Sequence, residues 1–182
     1  MTGVQTCALP IFNMKTITSI FLLTIFVLAQ SITPDERGFI VKVGDSVPDF
    51  ELNFIDGSST KISDYLGSPV MLQFTASWCS VCRQETPHIE KEIWNRFRDK
   101  GLTVIGLDRD EPLEVVKQFV EEMKTSYPMA LDPGAEIFGL FADKESGVTR
   151  NVLIDSDGKI VFLTRLFEKE EFNLLIKQIE QL

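Results

Sequence analysis

Cysteine and histidine are scarce in this chain of 182 residues, which has three cysteines and a single histidine. A structural zinc site takes four ligands, commonly cysteine and histidine, and beyond the N-terminal region only Cys79, Cys82 and His88 are available. The chain also lacks a cluster of lysine and arginine, and its formal net charge is −9. Zinc binding, nucleic-acid binding and docking by charge to an anionic membrane are therefore disfavoured. We expect no metal and no cofactor.

Long hydrophobic runs are absent apart from one stretch near the N-terminus. Residues 17–28 are predominantly apolar, follow Met14 and Lys15, and end in small and polar residues. This stretch is short for a membrane span but suits the core of a signal peptide. We expect residues 14–31 to be a signal peptide or an uncleaved membrane anchor, with a linker over residues 32–40.

Residues 1–13 do not fit in front of such a leader. The stretch from Thr2 to Ile11 resembles a translated sequencing-adapter remnant, so we expect residues 1–13 to be non-native and Met14 to be the true start. Cys7 then lies outside the mature domain, which leaves one cysteine pair. An exported protein with a single pair has no separate framework of structural disulfides.

The pattern of apolar runs and turn residues predicts one α/β domain over residues 41–182. We predict strands over 50–54, 59–62, 70–75, 103–107, 127–131, 151–154 and 159–166, and helices over 79–100, 112–123, 135–141 and 168–181. This order is typical of a central mixed β-sheet flanked by helices on both faces. The first two strands form an N-terminal β extension, and Asp155–Gly158 predicts a hairpin turn between the last two.

The Cys79-Ser80-Val81-Cys82 motif lies where a buried strand runs into a helix. Two thiols three positions apart can close a disulfide with little chain movement. The free N–H groups and the dipole of a helix N-terminus also stabilise a thiolate. The motif therefore predicts dithiol redox chemistry through a reversible Cys79–Cys82 disulfide.

The segment around this motif resembles the exported bacterial thiol–disulfide oxidoreductases of the TlpA/ResA type, redoxins related to the AhpC/TSA proteins. The most specific match is Trp78-Cys79-x-x-Cys82-Arg83-x-Glu85-x-Pro87. Supporting matches lie at 44–50, 131–134 and 152–160, so that the resemblance covers about residues 41–182. It implies a thioredoxin-like fold.

The resemblance also implies roles for individual residues. Cys79 would be the nucleophile that attacks a substrate disulfide, and Cys82 would resolve the mixed disulfide and release reduced substrate. Glu85 matches an acidic residue near the active site that influences thiol pKa or shuttles protons. Trp78 would pack beside the site.

Two positions depart from thioredoxin itself. Gln73 stands where thioredoxin has a buried aspartate, and because glutamine cannot exchange protons with a thiol, Glu85 is favoured as the proton relay. Thr149 stands where thioredoxins have a cis-proline, and Arg150 follows it, an arrangement closer to peroxiredoxins. Arg150 could stabilise the reactive thiolate or lie solvated at the start of a strand.

The sequence thus predicts an exported thiol–disulfide oxidoreductase, more in keeping with a reductant than an oxidant, in the periplasm or another extracytoplasmic compartment. Protein disulfides would be its substrates, and a membrane protein would supply electrons, since reducing power outside the cytoplasm has to be delivered. It would contact the membrane only through an uncleaved N-terminus. One alternative is a thiol peroxidase, although the peroxiredoxin motif P-x-x-x-T-x-x-C is absent. The other is a binding module with idle thiols.

Overall fold

The computed structural model describes Gly3 and residues 33–182. The expected non-native leader (1–13) and the expected signal peptide or anchor (14–31) lie outside the described residues, Gly3 excepted. Residues 34–182 form a compact unit. Among the helices of the described residues, none has the length and apolar character needed to cross a membrane.

The stretch that was expected to be a linker, 32–40, belongs to this compact unit from Pro34 onward. Phe39 is buried and its backbone forms an antiparallel bridge with Ala142. The Asp35 carboxylate accepts a hydrogen bond from the Phe39 amide at 2.7 Å, which fixes a turn. The domain therefore begins before residue 41, because the Phe39 side chain packs in the core.

The centre of the domain is a seven-stranded mixed sheet in the order β2-β1-β5-β4-β3-β6-β7. The strands are β1 (Glu51–Phe54), β2 (Ser59–Lys61), β3 (Val70–Thr75), β4 (Thr103–Arg109), β5 (Met129–Asp132), β6 (Arg150–Ile154) and β7 (Ile160–Arg165). The three central strands β5, β4 and β3 are parallel, and every other pairing is antiparallel. The predicted N-terminal hairpin and C-terminal hairpin are both confirmed.

Strand β3 separates two hydrophobic cores. Every one of its residues is buried, and successive side chains point to opposite faces of a strand. Leu72 and Phe74 pack into one core together with Phe39 and Phe138. Met71 packs into the other, which is shared with the helices. A continuous apolar run is what a strand covered on both faces requires.

The helix after β3 positions the cysteine motif. Helix α1 (Ser80–His88) continues through a π-helical stretch (Ile89–Trp94), a short α-helical turn (Asn95–Phe97) and a 3-10 turn (Arg98–Lys100). The regular ladder changes directly after Pro87, since proline has no N–H to donate. Gly101 ends the helix with a φ of 98°, as its position predicted.

The other predicted helices are α2 (Leu113–Met123) and α3 (Lys169–Ile179). The face of α3 that was predicted to be buried is buried, namely Phe172, Leu175, Ile176 and Ile179. On the opposite face of the sheet, the helix predicted over 135–141 is replaced by two 3-10 turns, Pro133–Ala135 and Phe138–Leu140. Asp132 accepts the Ile137 and Phe138 amides at 2.7 and 2.8 Å and holds this segment in turns.

Candidate active site

Cys79 is the N-cap residue of α1, and both cysteines are free thiols. Its extended backbone directs the sulfur back toward the first turn, where it accepts the Cys82 amide at 3.2 Å. Cys79 is half-buried, whereas Cys82, one turn on, is fully buried. Within residues 33–182, no group of three or more histidine, cysteine, aspartate or glutamate side chains is arranged to hold a metal ion.

The Thr149 hydroxyl lies against both sulfurs. Its Oγ1 is 3.2 Å from Cys79 Sγ and 3.2 Å from Cys82 Sγ. No peptide bond of the described chain is cis, so this position supplies a hydroxyl on an ordinary trans backbone. A hydroxyl has one proton to donate and two lone pairs that accept, and Thr149 can therefore contact a thiolate and a thiol at once.

The two thiols have opposite pKa shifts. The pKa of Cys79 falls to about 5, chiefly because the Cys82 thiol donates a hydrogen bond to its sulfur, with further help from the Thr149 hydroxyl and the Cys82 and Val81 amides. The same hydrogen bond to Cys79, together with burial, raises the pKa of Cys82. At neutral pH these shifts favour a thiolate on the half-buried Cys79 and a protonated thiol on the buried Cys82.

Glu85 is a fully buried carboxyl on the same face of α1 as Cys82. Its Oε1 accepts a hydrogen bond from Asn151 Nδ2 at 2.7 Å, and its Oε2 has no hydrogen-bond partner within the described chain. Burial, with a smaller contribution from the negative charge of Cys79, raises the pKa of Glu85 to about 8, although hydrogen bonds from the Asn151 and Gln73 amides act in the opposite direction. A carboxyl that titrates near neutral pH is suited to proton exchange.

Neutral polar side chains surround Glu85 where α1 packs against the sheet. Asn151 of β6 lies opposite Gln73 of β3 in the strand register, and its amide also donates to Thr164 Oγ1 at 2.8 Å. Gln73 donates to Thr86 Oγ1 at 3.1 Å and accepts from the Tyr127 hydroxyl. The position that is aspartate in thioredoxin is thus a structural amide, which leaves Glu85 as the titratable group beside the dithiol.

The loop before Cys79 is held at Ser77. The Ser77 amide and hydroxyl both donate to the Glu111 carboxylate at 2.5 Å, and its carbonyl accepts from Arg83 Nε at 2.6 Å. Trp78, expected to pack beside the site, has a side chain that is 64% exposed. An apolar surface is therefore exposed next to the Cys79 thiol.

Arg150 lies in neither of the two environments considered for it from the sequence, in contact with the reactive thiolate or in solvent at the start of a strand. It is fully buried, not solvated, and it lies 4.4 Å from the centre of the Phe39 ring. Its guanidinium donates to the Arg37 carbonyl at 2.8 Å and to Ser146 Oγ at 2.7 Å. Across the described residues, none of its hydrogen bonds goes to a cysteine.

Two site residues were not identified from the sequence, Asn151 and Arg165. Asn151 lies two positions after Thr149, which directly precedes β6, so extending the strand periodicity back by one residue could have placed both on one face. Arg165 lies opposite Arg150 in the β6–β7 hairpin. Counting outward from the predicted hairpin turn would have brought Arg165 to the end of the sheet where Thr149 lies.

Comparison with known proteins agrees with this geometry. The AhpC/TSA family profile matches residues 43–163. The thiol-disulfide oxidoreductase ResA of Bacillus cereus is 32% identical over 136 residues, which cover 75% of this chain and 76% of that protein.

Two solved structures have the same fold. The solution structure of a candidate protein disulfide isomerase from Bacteroides thetaiotaomicron is 52% identical with a TM-score of 0.77, covering 79% of this chain and 91% of that one. A candidate thiol:disulfide interchange protein DsbE from Chlorobium tepidum is 30% identical with a TM-score of 0.67, covering 78% and 97%. The fold is thioredoxin-like, and the chain belongs to the AhpC/TSA family as a ResA-like thiol–disulfide oxidoreductase.

Proposed function

We propose that this protein reduces disulfides of other proteins through Cys79 and Cys82. The observation that carries the proposal is the pairing of a half-buried thiol of lowered pKa with a buried thiol that keeps its proton. A thiolate is the species that attacks disulfides. The apolar surface of Trp78 beside Cys79 would contact an unfolded segment of the substrate.

The proposed cycle has two exchange steps. The Cys79 thiolate attacks one substrate sulfur, the substrate S–S bond breaks, and the departing substrate thiolate takes a proton from Glu85. The charge of Cys79 is then lost, which removes one cause of the raised pKa of Glu85. The Glu85 carboxylate accepts the proton of Cys82, whose sulfur attacks Cys79, closes the Cys79–Cys82 disulfide and releases the second substrate sulfur as a thiolate, so that Glu85 is protonated again.

We also propose that the protein acts outside the cytoplasm and is re-reduced there by a membrane protein. The apolar stretch 17–28 and the single cysteine pair of the domain support this location. A donor is needed because extracytoplasmic compartments are oxidising. Comparing the N-terminus of the protein isolated from membrane and soluble fractions of the producing cell tests whether residues 14–31 are removed.

The reduction potential tests the direction of electron flow. Equilibration in redox buffers, with trapping of free thiols, gives the midpoint of the Cys79–Cys82 pair. A potential near that of thioredoxin, about −270 mV, supports a reductant, whereas one near that of strong oxidants, about −120 mV, would reverse the proposal. The lowered pKa of Cys79 stabilises the reduced form of the pair and so raises its potential, which by itself favours an oxidant. The measured potential therefore decides the direction of electron flow. Thiols that fail to cycle would instead support a binding module.

A further inference from the structure

Arg165 brings an unpaired cation to the edge of the active site. It is the last residue of β7, and its guanidinium lies so close to Gly147 that a side chain at that position would displace it. Gly147 precedes Thr149 by two residues. Nη1 of Arg165 is buried and has no hydrogen-bond partner anywhere in residues 33–182. The side chain as a whole is partly exposed, but this buried donor is left unsatisfied, and a nearby anion that forms during the reaction would pair with it.

The backbone on either side keeps Arg165 next to Thr149. The Leu166 amide donates to the Thr149 carbonyl at 3.1 Å, and Leu166 adopts the left-handed conformation with a φ of 67°. The Arg165 amide itself donates to Glu171 Oε2 at 3.1 Å. The end of β7 is therefore fixed to the residue whose hydroxyl contacts both sulfurs.

The other charged groups around Arg165 do not neutralise it. Arg150 lies directly opposite on β6 and carries the same charge. Glu171 of α3 is the nearest carboxylate by hydrogen bonding, but its Oε1 forms an ion pair at 2.7 Å with Arg37 of the N-terminal segment. Burial lowers the pKa of Arg165, and negative charge on either Cys79 or Cys82 opposes that shift. The negative charge that favours the Arg165 cation is thus on the dithiol.

We propose that Arg165 is a positioning residue for the dithiol, the counter-ion of the thiolate on Cys79 before attack and of the thiolate on Cys82 during resolution. No bond to Arg165 forms or breaks, and its proton stays in place throughout. Electrostatic attraction is reciprocal, so a cation stabilised by the thiolate stabilises the thiolate equally. This inference rests on the proposed function, since it presupposes a reactive thiolate at Cys79.

Thiolate absorbance at 240 nm, followed against pH in the full-length protein, tests the inference. The Arg165→Met variant should raise the pKa of Cys79 by about 1, the lower end of the effect of a neighbouring opposite charge. Alkylation of Cys79 by iodoacetamide at pH 5.5 should then slow about threefold, the ratio of thiolate fractions for such a shift. Arg165→Lys, which keeps the charge, should recover most of both effects.

The matched control is Arg96→Gln. Arg96 forms an ion pair with Glu180 at 3.0 Å and lies seventeen positions past Cys79 along the helical segment, roughly 25 Å at 1.5 Å per residue. The Arg96→Gln substitution removes the same charge as Arg165→Met and should leave the pKa of Cys79 unchanged. Arg165→Gln serves in place of the methionine variant if that variant does not fold.

The outcomes separate the inference from the proposed function. If folded Arg165→Met keeps the low pKa of Cys79, or if Arg165→Lys behaves like Arg165→Met, the counter-ion role is overturned while the dithiol chemistry stands. If the wild-type protein itself has an ordinary thiol pKa at Cys79, the proposed function loses its supporting observation. Equal shifts in Arg165→Met and Arg96→Gln would indicate net charge rather than position and would also overturn the inference.

Discussion

The Thr149 hydroxyl lies 3.2 Å from the sulfur of Cys79, at a position where thioredoxins have a proline. The same oxygen is 3.2 Å from the sulfur of Cys82. With one proton to give, it can donate to the Cys79 thiolate before attack or to the Cys82 thiolate during resolution, but not to both at once. Thr149 therefore links the charge states of the two cysteines, which a proline ring cannot do.

Removing the Thr149 hydroxyl should weaken the Cys79 thiolate. In Thr149→Val the shape is kept but the donor is lost, so the pKa of Cys79 should rise by about 1, the scale of one hydrogen bond to a charged group. Thr149→Ser, the matched control, keeps the hydroxyl and should keep the low pKa. Thiolate absorbance against pH measures both, and an unchanged titration in Thr149→Val would show that this hydroxyl does not donate to Cys79.

Replacing Glu85 should change the pH dependence of turnover. Burial raises the pKa of Glu85 to about 8, so wild-type disulfide reduction should show an inflection near that pH. Glu85→Gln removes the exchangeable proton and should slow reduction by roughly 100-fold, the lower end of the range for general acid–base catalysis. The inflection should vanish in this variant.

Glu92→Gln is the control for Glu85. Glu92 lies further along the helical segment, is partly exposed and contacts His88 at 2.6 Å. Its loss should leave the rate and the pH profile unchanged. A Glu85→Gln enzyme that keeps the wild-type inflection would assign that inflection to another group and remove Glu85 from the proton path.

The elements that depend on local pattern could be predicted from the sequence. The run 70–75 is largely apolar because β3 is covered on both faces. Gly101 ends a helix because glycine, unlike residues with a side chain, adopts a positive φ without strain. The two cysteines were identified because their spacing matches one helical turn. In each case the physical cause lies within a few neighbouring residues.

The parts that could not be predicted depend on contacts between distant segments. Phe39 is buried only because Ala142 and the turns after β5 form a surface for it. Arg150 is buried because the Arg37 carbonyl, 113 positions away, accepts from it. The cation beside the thiols is Arg165, which comes from a different strand than the arginine adjacent to Thr149. Such pairings require the register of the whole sheet.

Buried acids should make the fold less stable as pH rises. Asp108 is fully buried, and neither of its carboxylate oxygens has a hydrogen-bond partner in the part of the chain described. Burial, together with the neighbouring Glu111 and Asp132 carboxylates, raises the pKa of Asp108 to about 8. It lies opposite Thr75 in the register, at the end of β3 that leads to the active-site loop.

The sign of the effect follows from proton binding. Folded Asp108 holds its proton up to about pH 8, whereas the unfolded chain releases it near 3.8. The free energy of unfolding should therefore fall between about pH 4 and 8, by at most about 1.4 kcal/mol per pH unit for this group. Asp108→Asn should be more stable than wild type at pH 8, by roughly 1–3 kcal/mol, and nearly equal to it at pH 4.

Urea unfolding at several pH values measures this slope. Glu85→Gln provides the comparison, since Glu85 has a raised pKa and should contribute a slope of the same sign. The double variant should have the flattest profile between pH 5 and 8. A wild-type protein whose stability rises over that interval would contradict the assignment of both buried carboxyls as protonated at neutral pH.

Arg150 should act on stability rather than on the thiolate. Arg150→Ala removes a buried side chain that packs on Phe39 and donates to Ser146 Oγ. The cavity and the unpaired acceptors should lower the free energy of unfolding by about 2–4 kcal/mol. Arg150→Met fills most of the volume and should recover part of that loss. Urea unfolding measures both variants.

The same variants test the peroxidase alternative. If Arg150 stabilised a peroxide-reactive thiolate, Arg150→Met would abolish hydrogen peroxide turnover with a dithiol donor and raise the pKa of Cys79 more than Arg165→Met does. The hydrogen bonds of Arg150 to the Arg37 carbonyl and Ser146 favour the opposite order. We therefore expect the larger shift in Arg165→Met, since that guanidinium lies against Gly147, two residues from the hydroxyl that bridges the sulfurs.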